Sequence, residues 1–449
     1  MIVAAMVAFV LTRVWLLTSF QPLQNEDVLI YSKYAIDGVD LGHVPYLETD
    51  MEYPPLAWWT IATPRWLATE PFYRSYLTIN PGILQEFQAD YYRRFHRMMA
   101  VFDVAAFGLF LLVVARRRPV WLGMSAWAYV LVTALQPHVL YDRLDIGLLF
   151  FILAWAATMT MSAGSRWRGV WIVASFIALG GGIAYKLIPI VIAPACLEVE
   201  FRRAIHSRRW ATLVLGSIAL AVTALGPFAY YWNTSGPGVF NLFKYHGTRG
   251  IEIESTYASL MMILRPLGLV SVVERGSGAI NLVGPLAPFF STASTWLLIA
   301  AVSCSMVMAW RQWRDEAASY RWGLAALLLA VLAAKVLSVQ YMLWTLPALV
   351  LLGAERLSVV NCHRLVIAAV VMAGLSTALY PYLFFPDSSW GIGALKNPWP
   401  LAAGHHLEPH WLPSLVLIAR NGLLAVSVAM VVKSLVGKTP LNKNESVDK

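Results

Sequence analysis

Only three cysteines occur in 449 residues, and none is placed to form a CxxC pair. Cys196 and Cys362 fall in or beside basic segments, and Cys304 lies inside an apolar run, so no disulfide framework is implied. HExxH, DxD, a Walker-type phosphate loop and GxGxxG are also missing. Their absence removes the motif-borne metal centres and the nucleotide-driven enzymes. His405, His406 and His410 stand in a Trp- and Pro-rich stretch that matches no metal-binding motif, and read as surface residues. Charge is scarce too: 13% of residues are Asp, Glu, Lys or Arg, against 59% hydrophobic. With a mean hydropathy of +0.61, the chain lacks the polar surface a soluble fold of this size needs. No Ser-, Pro- or Gly-rich linker divides it, so residues 1–449 form one membrane domain.

The net charge of +9 is spread over short loops between apolar runs. That pattern controls topology and does not form a nucleic-acid surface. Runs of the length that spans a bilayer recur at 1–20, 98–115, 120–136, 146–161, 170–197, 213–229, 286–310, 324–352, 366–384 and 412–432. Residues 1–20 lack a basic n-region and a small-residue cleavage site, so they read as a retained first helix, with a start further upstream as the alternative. Arg13 within that run should face a protein or water-lined interior.

Alternate loops should be rich in Arg and Lys. Single crossings satisfy this up to Arg166 and Arg168, but then put Arg202, Arg203, Arg208 and Arg209 on the wrong side. The run 170–197 must therefore cross twice, broken between Gly180-Gly181-Gly182 and Pro189, with Lys186 at an outward tip. Residues 324–352 repeat the device, broken at Ser338-Val339-Gln340. The expectation is an all-α polytopic protein of about twelve passes with both termini cytoplasmic. Segments 21–97, 232–282 and 385–411 are then external and 433–449 is a cytoplasmic tail; a Trp-rich helix over 56–67 should lie flat at the interface.

The external segments hold the candidate chemistry. Asn25-Glu26-Asp27 follows the first helix, where a carboxylate serves either as a general base or as a helix-end acid. Adjacent residues point apart, so Glu26 is not expected to act with Asp27. Tyr46, Tyr53-Pro54-Pro55 and the tip Asp142-Arg143-Leu144-Asp145 come next, with solvated-loop or anchoring roles as their alternatives. Lys186 is costly in an apolar setting unless it meets an anion or an aqueous cavity, or snorkels. His246 and Arg249, followed by Glu252 and Glu254, suit a phosphate through charged, fork-like hydrogen bonds, or form an ordinary polar loop.

In order, Asp27, Gly42 to Tyr46, Tyr53-Pro54-Pro55-Leu56, Arg143-Leu144-Asp145, Lys186-Leu187-Ile188-Pro189, Arg249 to Ser255 and Ser338 to Trp344 make a series. It resembles the GT-C superfamily of membrane glycosyltransferases and, within it, glycosyltransferase family 87, whose bacterial members use polyprenyl-phosphate-mannose or a related lipid-linked sugar. Tyr46, Tyr53 to Trp58 and Gln340 to Trp344 are also similar to the eukaryotic mannosyltransferases that start the GPI glycan core. Those enzymes usually carry two aspartates one residue apart, where this chain has Asn25-Glu26-Asp27. The resemblance implies a GT-C fold, Asp27 as catalytic base, and Arg249, His246 and Lys186 on the donor phosphate. Tyr46, Tyr53, Arg143, Asp145, Glu252, Glu254, Gln340 and Tyr341 are the implied substrate contacts. It further implies an inverting transferase in the plasma membrane, acting outside the cytoplasm on a glycolipid or glycan acceptor. No cofactor is expected, with a divalent metal left open. An arabinofuranosyltransferase is the alternative within the class; a lipid-sugar flippase or a non-catalytic assembly subunit lies outside it.

Overall fold

The structure is a computed structural model, and it describes residues 1–20, 26–69, 81–267, 269, 272–276, 279–383 and 411–436. The helices, in chain order, are α1 (Ile2–Thr18), α2 (Glu26–Ala35), α3 (Pro55–Trp66), α4 (Pro81–Arg117), α5 (Leu122–Ala134), α6 (Asp145–Ser162), α7 (Arg168–Tyr185), α8 (Ala193–Ser207), α9 (Trp210–Ser235), α10 (Asn241–Thr248), α11 (Thr256–Leu264), α12 (Ala287–Arg311), α13 (Ala318–Ala333), α14 (Met342–Arg356), α15 (Val359–Thr377) and α16 (Trp411–Val436). Between α11 and α12 a hairpin pairs β1 (Val272–Gly276) with β2 (Ala279–Val283), Val272 opposite Val283. Among the described residues, seven helical stretches are long and apolar enough to cross a membrane, and α1, residues 119–134 and α13 are shorter apolar helices. Helices α8 and α14 follow the two chain breaks in the expected order.

The most deeply buried helices are α6, α13 and α14, whose Trp155, Trp322 and Trp344 are at most 1% exposed. At the periphery α9 and α12 present Val214, Ile218, Val222, Phe289 and Trp296 outward, the apolar surface a lipid-facing flank requires.

Both double crossings are present, and the first breaks in the Lys186–Pro189 part of the expected stretch while its glycine triplet stays helical. Helix α7 runs unbroken through Gly180, Gly181 and Gly182 to Tyr185. The glycines serve packing: a β-carbon on Gly180 would strike Thr223 and the Leu220 carbonyl of α9, and one on Gly181 would lie 2.8 Å from Phe151 of α6. The break comes one turn later, where Lys186 is extended (φ −156°, ψ 117°) and a 3-10 turn spans Ile188–Ile192 around Pro189.

In the second pair the chain leaves α13 in extended backbone and re-enters through the 3-10 turn Val339–Tyr341. Exposed backbone groups at such a break need partners. Helix α11 and the segment before it supply them: the Tyr257 hydroxyl donates to the Ala333 carbonyl at 2.8 Å, and the Glu252 N–H donates to the Lys335 carbonyl at 3.0 Å.

These alternating helices separate two chemically distinct ends. Asp145, Lys186 and Tyr341 lie at one end of α6, α7 and α14; Ser162, Arg168 and Arg356 lie at the other. At that second end Glu355 pairs with Arg117 and, at 2.6 Å, with Arg321, while Glu200 pairs with Arg168 at 2.9 Å and Arg203 at 2.6 Å. Arg117, Arg168 and Arg203, among the basic residues used to assign topology, are thus held in ion pairs at this end.

Helix α3 packs one face into the protein. Trp58 is 3% exposed, and its ring fills the space a side chain on Gly38 would need. Trp59 donates its indole N–H to the Tyr231 hydroxyl at 3.0 Å, leaving Trp66 as the exposed tryptophan of this helix.

Candidate active site

Asp27 occupies the first turn of α2, where the positive end of the helix dipole favours a carboxylate. Arg143, from the short connection before α6, reaches its Oδ2 at 2.6 Å. Both side chains remain partly open, at 17% and 18% exposure. The Arg143 guanidinium also lies 5.6 Å from the Tyr380 ring centre. The neighbouring Tyr31 hydroxyl donates to Tyr53 at 3.4 Å, giving Asp27 an aromatic wall.

A second carboxylate sits beside this pair in the chain but is engaged differently. Asp145 opens α6 and is 1% exposed. Both its oxygens accept from Lys186 Nζ at 2.8 Å, and Oδ1 also accepts the Trp344 indole N–H at 2.9 Å. The Lys186 ammonium lies 5.3 Å from the Tyr341 ring centre. Lys186 is therefore a neutralised, oriented cation, and the charge the sequence exposes at the helix break is matched by an aspartate 41 residues away.

The third group comes from the segment after α10. Arg249 lies 5.7 Å from the Tyr245 ring centre, and its buried Nε has no hydrogen-bond partner. Oε2 of Glu252 and Oε1 of Gln340 are likewise buried without one. Unsatisfied buried groups are uncommon in folded proteins, and these three lie close to one another beside Arg249 and Tyr341. Burial holds the Glu252 carboxyl above the usual carboxylate range against the opposing pull of Arg249. Arg143 acts electrostatically on Glu252, and Lys186 on His246, so the three groups share one field.

Lys335, in the break between α13 and α14, escapes sequence reasoning although it carries the same signal as Lys186, a lone lysine inside an apolar stretch. Its Nζ donates to the Gly247 carbonyl at 3.2 Å. Burial and the charge of Arg249 lower its pKa below the ordinary lysine value. Two cations that raise each other's energy in this way are relieved by an anion.

Two of the expected substrate contacts are held in the framework. Tyr46 is 3% exposed, adopts φ +68°, and donates its hydroxyl to the Tyr53 carbonyl at 2.8 Å. Gly238 packs against the Tyr46 carbonyl so closely that a β-carbon would collide with it. Glu254 is clamped by α16: Arg420 reaches Oε2 at 3.1 Å, and Arg420 and Asn421 donate to its backbone carbonyl at 2.8 and 2.9 Å. Burial pushes the Glu254 carboxyl up to about 8 despite the opposing charge of Arg420. Arg420, fully buried inside the apolar run 412–432 as Arg13 is inside 1–20, is a second residue that sequence reasoning passed over.

Asp27, Arg143, Asp145, Lys186, Arg249, Glu252, Gln340 and Tyr341 thus gather at one end of the helices, with His246 exposed beside Arg249. Among the described residues no group of three or more His, Cys, Asp or Glu is placed to hold a metal ion. His405, His406, His410 and Asn25 lie outside the described residues, as does the third external segment up to residue 410.

No family model matches the chain, and no curated protein matches it. Two solved structures are similar: the crystal structures of ArnT from Cupriavidus metallidurans in the apo state and bound to undecaprenyl phosphate. The apo structure is 15% identical with a TM-score of 0.39, and the undecaprenyl phosphate complex 17% identical with a TM-score of 0.40. Each match covers 97% of this chain and 77% of the other.

Proposed function

We propose that the chain is an inverting GT-C glycosyltransferase that moves a sugar, mannose in the first instance, from a polyprenyl-phosphate carrier to the hydroxyl of a glycolipid or glycan. The observation that carries this reading is one acid and a cationic group at the same end of a membrane-spanning bundle: Asp27 oriented by Arg143, with Arg249 and Lys335 beside orphaned Glu252 and Gln340 atoms. The ordered motif series from Asp27 to Trp344 supports the family assignment. The arginine-rich opposite end supports a cytoplasmic placement for that end and an extracytoplasmic one for the site.

In the proposed step the acceptor oxygen attacks the anomeric carbon opposite the phosphate, and its proton passes to the Asp27 carboxylate. The bond between the anomeric carbon and the phosphate oxygen breaks, and its electron pair leaves with the polyprenyl phosphate. Because that anion is stable, fixed cations assist its departure without a second carboxylic acid. Arg249 and Lys335 are the proposed cations, and His246, whose pKa burial and the charge of Arg249 lower, would serve as a neutral hydrogen-bond donor. Lys186, already paired, contributes by fixing Asp145 and Tyr341 around the sugar. One inversion turns a β-linked donor into an α-linked product. Positive side chains at the phosphate make metal-independent transfer the proposed mode.

Replacing Lys335 with Ala should lower kcat/KM for the donor about tenfold to a hundredfold, the worth of one charge-assisted hydrogen bond. The pH dependence has a defined sign. The Lys335 ammonium is present below its lowered pKa and is lost as pH rises through it, so donor KM rises on the alkaline side at a lower pH than an ordinary lysine would give. Lys335→Arg keeps its charge and should hold donor KM level over the same range. Steady-state kinetics at varied donor and pH measure both; identical alkaline limbs for wild type and Lys335→Arg would remove Lys335 from donor binding.

A further inference from the structure

A cavity of about 300 Å³ opens at the end of the protein away from Asp27, among α7, α8, α9 and the turn after α12. Four arginines line it, Arg168, Arg203, Arg209 and Arg314, against two acids, Glu200 and Glu316. The floor is built and rigid. Glu200 accepts from Arg168 at 2.9 and 3.0 Å and from Arg203 at 2.6 Å, and Arg203 donates from Nε and Nη2 to the Trp313 and Asp315 carbonyls at 3.2 and 2.8 Å. Arg209 and Arg314, at the rim, are exposed and form no ion pair among the described residues. The lining therefore carries two more positive than negative charges.

The rim is continuous with apolar surface. Trp210 is 46% exposed with Phe201 edge-on at 6.0 Å, and beyond it α9 presents Val214, Leu215, Ile218 and Val222, between 49% and 62% exposed. Such a surface lies against acyl chains, and Trp and Arg at its end lie at headgroup depth. A soluble anion would use the arginines alone; a lipid uses both the arginines and the apolar track.

We propose that this cavity binds the phosphate of an anionic glycerophospholipid, with its acyl chains lying along α9. The site belongs to the opposite leaflet from the sugar-transfer centre and does not depend on that reading. Basic pockets between spanning helices recognise anionic headgroups with about 1 kcal/mol for each cation, roughly fivefold in affinity.

The test uses the full-length protein, delipidated in detergent and titrated with phosphatidylglycerol, phosphatidylcholine or inorganic phosphate under native mass spectrometry. Wild type should retain phosphatidylglycerol in preference to phosphatidylcholine. Arg209→Gln with Arg314→Gln should weaken that binding about thirtyfold. Arg166→Gln with Arg311→Gln, an equal loss of charge away from the cavity, should leave it essentially unchanged, and thermal unfolding verifies that both variants are folded. Equal retention of the two lipids, or equal weakening by the two double variants, would overturn the proposal. Displacement of phosphatidylglycerol by equimolar inorganic phosphate would overturn the lipid assignment, since the apolar track would then contribute nothing.

Discussion

An Asp27→Asn variant should insert and fold as the wild type does, yet lose kcat by about a hundredfold to ten-thousandfold, the usual worth of a positioned general base. The amide is nearly isosteric and keeps an oxygen to accept from Arg143, so the geometry of the first turn of α2 survives. What disappears is the ability to take a proton. Arg143 supplies the complementary measurement. Its guanidinium helps to aim Asp27, so Arg143→Gln removes that positioning contact without removing the base. Arg143→Gln should therefore retain more kcat than Asp27→Asn and show an altered pH profile. If the two variants were indistinguishable in kcat and pH dependence, the loss would stem from disrupting the ion pair, and Asp27 would not be the base.

The largest effect on stability should come from Asp103→Asn. Asp103 is fully buried in α4, where Arg13 of α1 donates to it at 2.8 and 3.4 Å and the Tyr129 and Tyr141 hydroxyls donate at 2.8 and 2.9 Å. Arg13 additionally donates to the Thr133 hydroxyl at 2.5 Å. The network ties α1, α4 and α5 to the connection that carries Arg143. Removing one charge leaves its partner buried and uncompensated, which costs about 3–5 kcal/mol. Arg13→Met combined with Asp103→Asn removes both charges and keeps an oxygen for the tyrosines, so it should recover most of that loss. Thermal unfolding in detergent, monitored by size-exclusion chromatography, measures both. A double variant as unstable as the single one would show that the tyrosine hydrogen bonds, and not the ion pair, hold this region.

The architecture was largely legible because lipid imposes simple rules on a chain. Basic loops at Arg116–Arg118, Arg166, Arg202 and Arg356 forced two apolar stretches to be split, and the splits exist at Lys186 and before Val339. Burial of Arg13 was also legible, since an arginine inside an apolar run has no cheap alternative. Its partner Asp103 was not, because the two lie 90 residues apart and an aspartate within an apolar run gives no hint of which helix it faces. The glycine triplet misled for a related reason. The sequence places it at the start of the broken stretch, whereas packing of α9 and Phe151 against α7 keeps it helical.

Within the candidate site the sequence identified which residues gather and missed how they pair. Asp145 neutralises Lys186, and Arg420 clamps Glu254, through contacts spanning 41 and 166 residues. Lys335 became visible once the backbone break brought it against the segment of Gly247 and Arg249.

The most direct measurement incubates the purified protein with radiolabelled polyprenyl-phosphate-mannose, a panel of glycolipid and glycan acceptors, and excess chelator, and then determines the anomeric configuration of any product. A new α-mannosidic bond from a β-linked donor, formed in chelator and absent with Asp27→Asn, is the predicted result. A product that retains the β configuration, or donor that is moved across a vesicle membrane without a glycosidic bond forming, would contradict an inverting transferase built on Asp27.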